Sequence, residues 1–217
     1  MDAAKLRNKV YIGYGKAAQR IGYVAQQYRA TSAFNPLETT ALQSINASFT
    51  TNFTYSAPNK YGQATWLGVF DGRQFVPGDY LKSDEDGTFF VAAMQTTLPI
   101  YCVQCNRVIN VLRTTQSSPS GQQVGLQDYG GTTQANESPL MTGWPASILN
   151  GTKGEKSPVG LPADAKTPWY LILLPAYGNI IIRTSDIITD DIERRYVVSS
   201  AELTDMGWRI TAMQAMV

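Results

Sequence analysis

GDYLKSDEDGTFFVAAMQ, residues 78–95, and SDIITDDIERRYVVSSAE, residues 185–202, follow one pattern without a gap. Each begins with a small residue and Asp, continues through an acidic turn, and reaches an aromatic residue followed closely by valine. The corresponding residues share one offset: Asp79 and Asp186, Leu81 and Ile188, Asp84 and Asp191, Phe89 and Tyr196, and Val91 and Val198. Such a repeat predicts a duplicated supersecondary unit. The alternative is a chance likeness between two hairpins, because strands and turns draw on few residue types.

The segments around the two stretches extend the repeat. Both consist of short β-rich runs, and around the first stretch these runs are separated by Asp-Gly and Pro-Gly turn signals. Each begins with an apolar strand led by Trp, although Trp66 and Trp169 correspond only after a gap. We therefore predict a mainly β (α+β) fold, in which an N-terminal helix precedes two related small β-barrel or sandwich units joined by a long arm.

The expected domain organisation follows changes in composition. We predict an N-terminal helical segment at 1–30, a first β unit at 31–113, an extended arm or loop at 114–167 and a second β unit at 168–217. A chain of 217 residues can bury a substantial core either as one domain or as two. The alternative is therefore that residues 31–217 form one compact domain.

The N-terminal segment has the spacing of an amphipathic helix. Apolar residues at steps of three and four form a predicted stripe: Leu6, Val10, Tyr14, Ala17, Ile21 and Val24. Gly13, Gly15 and Gly22 each disfavour a helix interior by roughly 1 kcal/mol against Ala, so they either break the helix or allow close backbone approach. We predict a helix that ends near Arg20.

The predicted arm is rich in Gly, Ser, Thr, Pro and Gln, but it contains one apolar patch. Connections in compact domains are normally about 4 to 6 residues long, so a segment on this scale is typical of a functional loop or a linker. The patch, PLMTGWPASIL at residues 139–149, includes Met141 and Trp144, for which a purely solvating spacer has no use. We interpret it as an anchor that docks elsewhere; the alternative is a lid over the protein's own core.

Charge is balanced overall and uneven along the chain. Lys and Arg total 18 against 17 Asp and Glu, so there is no global attraction to nucleic acid or anionic membrane. The N-terminal region carries the cations Lys5, Arg7, Lys9, Lys16, Arg20 and Arg29, and the β units carry the carboxylates Asp71, Asp79, Asp84, Glu85, Asp86, Asp186, Asp190, Asp191 and Glu193. Opposed patches allow head-to-tail contacts that close into a homo-oligomeric ring. A solvated helix without a partner and non-specific contact with nucleic-acid phosphates are the alternatives.

Residues suited to catalysis are scarce. The chain has no His and lacks the GxSxG and GxGxxG patterns, and GTKGEKSP imitates a phosphate-binding loop only superficially. We expect no enzyme activity, no catalytic residues and no cofactor. The longest apolar runs, around YLILLPAY and NIIIR, are too short to span a bilayer, and the first residues lack a signal-peptide pattern, so we expect a soluble, unexported protein without a membrane partner.

Two patterns raise the question of a metal. Cys102 and Cys105 form a CxxC, but without His or a third Cys one copy of the chain cannot complete a typical zinc site. On the predicted strand the two thiols point to opposite faces, which favours packing thiols in a reducing cytoplasm. The acidic turn at 84–87 resembles part of a calcium loop but lacks the downstream bidentate Glu. We therefore expect no metal site.

Four stretches of the chain together resemble a virion structural protein of tailed bacteriophages and prophages, and the likeness covers nearly the whole chain. They are YGKAAQRIGYVAQQYR; FDGRQFVPGDYL with GTFFVAAMQTTLPIYCVQCNRVINVLR; GGTTQANESPLMTGWPASILNGTKGEKSPVGLP; and TDDIERRYVVSSAELTDMGWRITAMQ. The pattern of Gly78 and Asp79, an apolar residue, an aromatic residue and Val91 is also similar to the small β modules of head-to-tail neck proteins, which seal the portal vertex or join it to the tail.

The resemblance implies a non-enzymatic structural protein that forms part of a ring at the neck, collar or tail. Its implied partners are further copies of itself, portal, adaptor or tail proteins, and packaged DNA through non-specific contact. Its implied location is the virion, assembled in the host bacterial cytoplasm. Two other expectations remain open: a carbohydrate- or receptor-binding module of the tail, for which 12 Tyr and 4 Trp offer stacking surfaces, and a capsid decoration protein.

Overall fold

The computed structural model describes residues 2–52, 60–114, 137–151 and 168–215. Helix α1 spans Ala3–Ile21, and short 3-10 helices span Pro36–Glu38 and Gly72–Gln74. The strands are β1 Tyr23–Tyr28, β2 Gln43–Thr50, β3 Thr65–Val69, β4 Tyr80–Ser83, β5 Gly87–Ala93, β6 Ile100–Cys105, β7 Arg107–Thr114, β8 Glu137–Asn150, β9 Trp169–Leu174, β10 Ile187–Asp190, β11 Arg195–Thr204 and β12 Gly207–Gln214. The prediction of a mainly β fold with an N-terminal helix is confirmed.

The strands form two closed barrels with the same order. Barrel 1 runs β1-β2-β3-β6-β5-β4, and barrel 2 runs β7-β8-β9-β12-β11-β10, so that each strand of barrel 2 lies six places after its counterpart in barrel 1. All the paired neighbours in both barrels are antiparallel. Closing the sheets removes exposed strand edges, which is how small β modules avoid edge-to-edge aggregation. The predicted duplication is therefore present as two barrels.

Cross-strand pairing shows that the repeat extends to register. The β4–β5 pairs Tyr80 with Phe90 and Leu81 with Phe89 have as counterparts the β10–β11 pairs Ile187 with Val197 and Ile188 with Tyr196. These counterparts lie at the offset that the two sequence stretches share. Because a slip of one residue would turn every side chain to the other face of the sheet, the common offset preserves which residues face each barrel interior.

The two tryptophans that lead the predicted strands are not equivalent. The matching rows of cross-strand pairs are Trp66–Cys102–Val91 in barrel 1 and Tyr170–Ala212–Val198 in barrel 2. The counterpart of Trp66 is thus Tyr170, one residue after the expected Trp169. The ring contacts agree, since Trp66 lies edge-on to Phe89 at 6.0 Å and Tyr170 lies edge-on to Tyr196 at 5.0 Å. The prediction matched the two tryptophans because they are the same residue type. Which residues are equivalent depends instead on how each strand pairs with its partner strand.

Strand pairing places the boundary between the two β units at a different position from the one predicted from composition. The first β unit was expected at 31–113, but β7 pairs with β8 and β10 and belongs to barrel 2. In the same way β1, expected within the helical segment 1–30, pairs with β2 and β4 of barrel 1. Only Asn106 separates β6 from β7, so the composition does not change where one barrel ends and the next begins.

The apolar patch expected in the arm is a strand of barrel 2. Residues 139–149 lie within β8, which pairs with β7 and β9, and Trp144 is 1% exposed. The segment neither docks as an anchor on a loose arm nor covers the barrel as a lid, because it is part of the barrel wall. The rest of the expected arm, 115–136 and 152–167, lies outside the described residues.

Two apolar clusters form the core. The interior of barrel 1 contains Phe70, Leu81, Phe89, Val91 and Ile100, together with Tyr11 from α1. A second cluster fills barrel 2 and continues onto the outer face of barrel 1, where Tyr80 and Phe90 are fully buried. The barrels therefore pack against each other through a shared apolar layer.

Helix α1 continues past the predicted end by one residue and buries a neighbouring stripe. Gly22 follows Ile21 as the C-cap, and the buried residues of the helix are Tyr11 and Ala18. Of the predicted stripe, Leu6, Ile21 and Val24 are 39%, 52% and 63% exposed. The buried stripe includes Gly15, where an added Cβ would lie 3.0 Å from Asp71 Cβ. Because Gly15 has no side chain, this face of the helix can approach barrel 1 closely, and it is the face that is buried. Among the described residues, no helix is long and apolar enough to cross a membrane.

Candidate functional site: two Arg–Asp clasps and the outward surfaces

Barrel 1 contains a bidentate ion pair between Arg29 and the buried Asp79, which we call a clasp. Arg29 Nε donates to Asp79 Oδ1 at 2.6 Å, and Nη2 donates to Asp79 Oδ2 at 2.7 Å and to the Gln74 carbonyl at 3.1 Å. Oδ2 also accepts bonds from Gln27 Nε2 at 2.7 Å and from the Val76 N–H at 3.0 Å. The Asp79 side chain is fully buried, and its charge is met by this bidentate pair.

Barrel 2 repeats the clasp with Arg113 and Asp186. Arg113 Nε donates to Asp186 Oδ1 at 2.8 Å, and Nη2 donates to Oδ2 at 2.8 Å and to the Ile181 carbonyl at 2.7 Å. The Arg183 N–H donates to Oδ2 at 2.7 Å, in the place that the Val76 N–H occupies in barrel 1. Each clasp therefore joins the end of one strand to the loop that enters the neighbouring strand.

The backbone around each clasp is also repeated. Gly78 N–H donates to the Val91 carbonyl, and Val91 N–H donates to the Asp79 carbonyl, both at 2.8 Å. Ser185 and Val198 make the same pair of bonds beside Asp186, at 2.8 and 2.9 Å. Gly78 has a φ of 94° and Ser185 a φ of 73°, so the second loop keeps a left-handed turn without glycine, at a cost of about 1 kcal/mol.

Sequence reasoning found both carboxylates but missed Arg113. It named Arg29 only as a cation of the N-terminal region, whereas the structure pairs it with Asp79. Asp79 and Asp186 share the offset of the repeat, but Arg29 directly follows β1 and Arg113 lies on β7, where the two barrels differ in spacing. A gapped comparison of YRA at 28–30 with LRT at 112–114 was the available signal. The pairing of β1 with β4, and of β7 with β10, then carries each arginine to its carboxylate.

The clasps stabilise structure and offer no acid–base chemistry. Hydrogen bonding to Asp79 and Asp186 raises the pKa of Arg29 and Arg113, which are guanidinium groups that stay charged in any case. An open depression of about 200 Å³ lies beside Arg29 and is lined in part by Pro77, Trp144 and Tyr177. Because the guanidinium is already bound to Asp79, the depression holds no free cation there.

The exposed side chains of α1 form a candidate interaction surface. It carries the exposed cations Lys5, Arg7, Lys9, Lys16 and Arg20, and within the described ranges none of them forms an ion pair. Leu6, Ile12 and Ile21 are exposed between them. We call these eight residues the α1 surface. Mixed cationic and apolar side chains of this kind suit a contact with another macromolecule.

The carboxylates expected to oppose these cations are partly internal. Asp79, Asp186 and Asp190 are buried and bonded within their own barrel, and Asp71 is held by Arg73. The acidic turn between β4 and β5 remains outside: Asp84 and Glu85 are exposed, and Asp86 is half-buried. Burial and the neighbouring Glu85 raise the pKa of Asp86. The surface separation of charge is therefore smaller than the sequence suggested.

Both thiols and Trp144 pack inside the protein. Cys102 lies in the barrel 1 core and Cys105 against the shared cluster, on opposite faces of β6 as predicted, and burial raises the pKa of both free thiols. Trp144 Nε1 donates to the Ala33 carbonyl at 2.8 Å, so its ring is no surface for sugar stacking. No group of three or more His, Cys, Asp or Glu residues in the described part of the chain is arranged to hold a metal ion.

Comparison of the chain with protein-family models, with curated proteins and with solved structures returned no match.

Proposed function

We propose that this chain is a non-enzymatic structural protein of a tailed phage virion, and that it forms part of a ring at the head-to-tail neck, collar or tail. The sequence resemblance to virion structural proteins over nearly the whole chain supports the proposal. The two buried clasps agree with the proposal. Their Arg and Asp side chains bind each other and stabilise loops, and neither clasp holds a group in a state suited to proton transfer.

The observation that carries the proposal is the α1 surface. A helix packed on barrel 1 presents cations and apolar side chains outward, while its buried face is fixed by Tyr11 and Ala18. A rigid module with such a surface is suited to contacts between neighbouring proteins of an assembly. Its partners in this role are further copies of the chain and portal, adaptor or tail proteins.

The cations of the α1 surface also favour a second partner, packaged DNA. Five exposed Lys and Arg residues on one helix attract phosphates without reading base sequence. Such contact weakens steeply with salt, because each neutralised phosphate releases counterions. Replacing Lys5, Arg7 and Lys9 by Gln is expected to flatten the salt dependence of DNA binding, measured by fluorescence anisotropy on two unrelated duplexes.

Quantitative mass spectrometry of purified particles tests the proposed function. Particles produced from the genome that encodes this chain are expected to contain it in a small, fixed copy number relative to the major capsid protein. Absence from mature particles would defeat the proposal. A copy number tied to the capsid lattice would instead support a capsid decoration protein, and enzymatic turnover of a phosphodiester, peptide or glycan by the purified chain would support an enzyme.

A further inference from the structure

The contact between the two barrels is built on one row of side chains. Tyr28, Tyr80, Phe90 and Val103 are successive cross-strand partners on the outer face of barrel 1. We call them row 1. All are buried, from 0% to 9% exposed, in the apolar cluster that they share with barrel 2. Tyr80 Oη donates to the Pro145 carbonyl at 2.8 Å, and its ring lies 6.1 Å from that of Trp144.

Barrel 2 carries the equivalent row on its own outer face. Leu112, Ile187, Val197 and Met213 are successive cross-strand partners along β7, β10, β11 and β12. We call them row 2. Each member occupies the register position of its row 1 counterpart, and all four are apolar. In contrast to row 1, the members of row 2 are only half-buried, and neither core cluster of the described residues includes them.

The chemistry around row 2 fits an apolar partner. Arg195, two residues before Val197 on the same face of β11, is paired with Glu137, so its charge is already met. The flanking outward residues Asn110, Thr189 and Thr211 are uncharged. A continuous apolar row with a neutral polar rim is typical of the centre of a protein–protein contact and gives a phosphate or a carboxylate nothing to bind.

We propose that row 2 is an interface for a second copy of this chain. Row 1 shows within the molecule what such a row binds, namely another six-stranded barrel of the same construction. A tandem repeat that fully buries the row of its first unit, and leaves that of its second unit only half-buried and outside the core clusters of the described residues, has the means to extend the same contact between molecules. This inference deepens the proposed function and rests on it, since it names the surface through which copies assemble.

Analytical ultracentrifugation of the purified chain tests the interface. We expect wild-type protein to associate reversibly. Val197→Glu is expected to give monomer, and Val197→Thr, which keeps the β-branched shape, to raise the dissociation constant roughly tenfold. Leu203→Glu and Leu203→Thr are the controls, because Leu203 is 56% exposed near the other end of β11 and belongs to neither row. They are expected to associate as the wild type does.

Each outcome decides the proposal. Wild-type protein that stays monomeric throughout the accessible concentration range, or that binds a different virion protein through row 2, overturns it. So does association that is unchanged in both Val197 variants, or weakened equally by the Leu203 variants. If Val197→Glu fails to fold, Val197→Thr decides alone. The particle composition measured by mass spectrometry is independent of these results, so the proposed function and the interface can fail separately.

Discussion

Asp79 and Asp186 are buried carboxylates, and hydrogen bonds from the surrounding residues offset the free-energy cost of removing their charge from water. Taking such a charge out of water costs several kcal/mol, and bidentate bonding to Arg with additional N–H donors compensates it. The net gain from such a pair is small, but removing one partner leaves an uncompensated buried charge. We therefore expect a large change in the free energy of unfolding only when one partner of a clasp is removed.

Arg113→Ala breaks the clasp of barrel 2. It removes both bonds to Asp186, which is 4% exposed, and leaves mainly the Arg183 N–H as donor. We expect a loss of about 2–4 kcal/mol in the free energy of unfolding, measured by urea denaturation. The control is Arg209→Ala, whose pair with Glu202 spans 3.7 Å between largely exposed groups and contributes under about 1 kcal/mol. Equal losses in the two variants would contradict this account.

Tyr196→Phe removes a buried hydrogen bond. Tyr196 Oη donates to Asp190 Oδ2 at 2.9 Å, so the variant leaves one carboxylate oxygen without that donor and is expected to lose about 1.5–3 kcal/mol. Burial, together with this bond, raises the pKa of Tyr196 to about 12, against about 10 unfolded. Its contribution is therefore complete below pH 10 and is lost as pH rises from 10 to 12. Unfolding free energy should fall less steeply over that range in Tyr196→Phe.

Barrel 1 supplies the control for this pair. The counterparts of Asp190 and Tyr196 are Ser83 and Phe89, and Ser83 Oγ accepts the Glu85 N–H as Asp190 Oδ1 accepts the Ile192 N–H. Adding Asp190→Ser to Tyr196→Phe reproduces the barrel 1 pair and removes the unpaired oxygen. The double variant is expected to lose less than the sum of the two single losses. Additive losses would mean that the two side chains do not act together.

At the scale of elements, the position of α1 depends on glycines more than on its apolar pattern. The helix passes through Gly13 and Gly15 and ends before Gly22, whose backbone lies against β2. An exposed glycine in a helix destabilises it, whereas a glycine in close backbone contact allows packing that no other residue permits. The same residue type therefore has opposite effects in the middle of the helix and at its C-terminal end.

Gly22→Ala and Gly13→Ala are expected to change stability in opposite directions. A Cβ at Gly22 would lie 2.3 Å from the Ala47 carbonyl oxygen, so α1 must shift off β2, with a loss of about 1–3 kcal/mol. A Cβ at Gly13 meets nothing within 4 Å, and the variant should gain about 0.5–1 kcal/mol. Thermal unfolding followed by circular dichroism measures both. A loss at Gly13, or no change at Gly22, would contradict the described packing.

The sequence predicted those parts of the fold in which the interacting residues lie close together along the chain. The hairpin around 79–91 and its copy were predictable, because the acidic turn and the alternating apolar residues lie within one short stretch. The role of β7 was not, since its partner β10 follows more than seventy residues later and nothing in RVINVLRT marks which barrel it joins. Arg113 was missed for the same reason: its partner Asp186 is set by strand register.

At the scale of the whole molecule, the same kind of apolar row occurs on both barrels, and among the described residues only the row of barrel 1 packs against another barrel. Row 1 is covered by barrel 2, whereas row 2 is a matching apolar row that is only half-buried. The α1 surface lies on the other barrel. A chain with different contact surfaces on its two halves is suited to head-to-tail assembly, and such contacts generate closed rings when the rotation between neighbours permits.

Electron microscopy of particles labelled with a Fab against this chain tests the central claim most directly, because it reports presence and position together. We predict label at a single site on each particle, where the head meets the tail or along the tail, in the pattern of a ring. Label spread over the capsid lattice, or particles without label, would contradict the account.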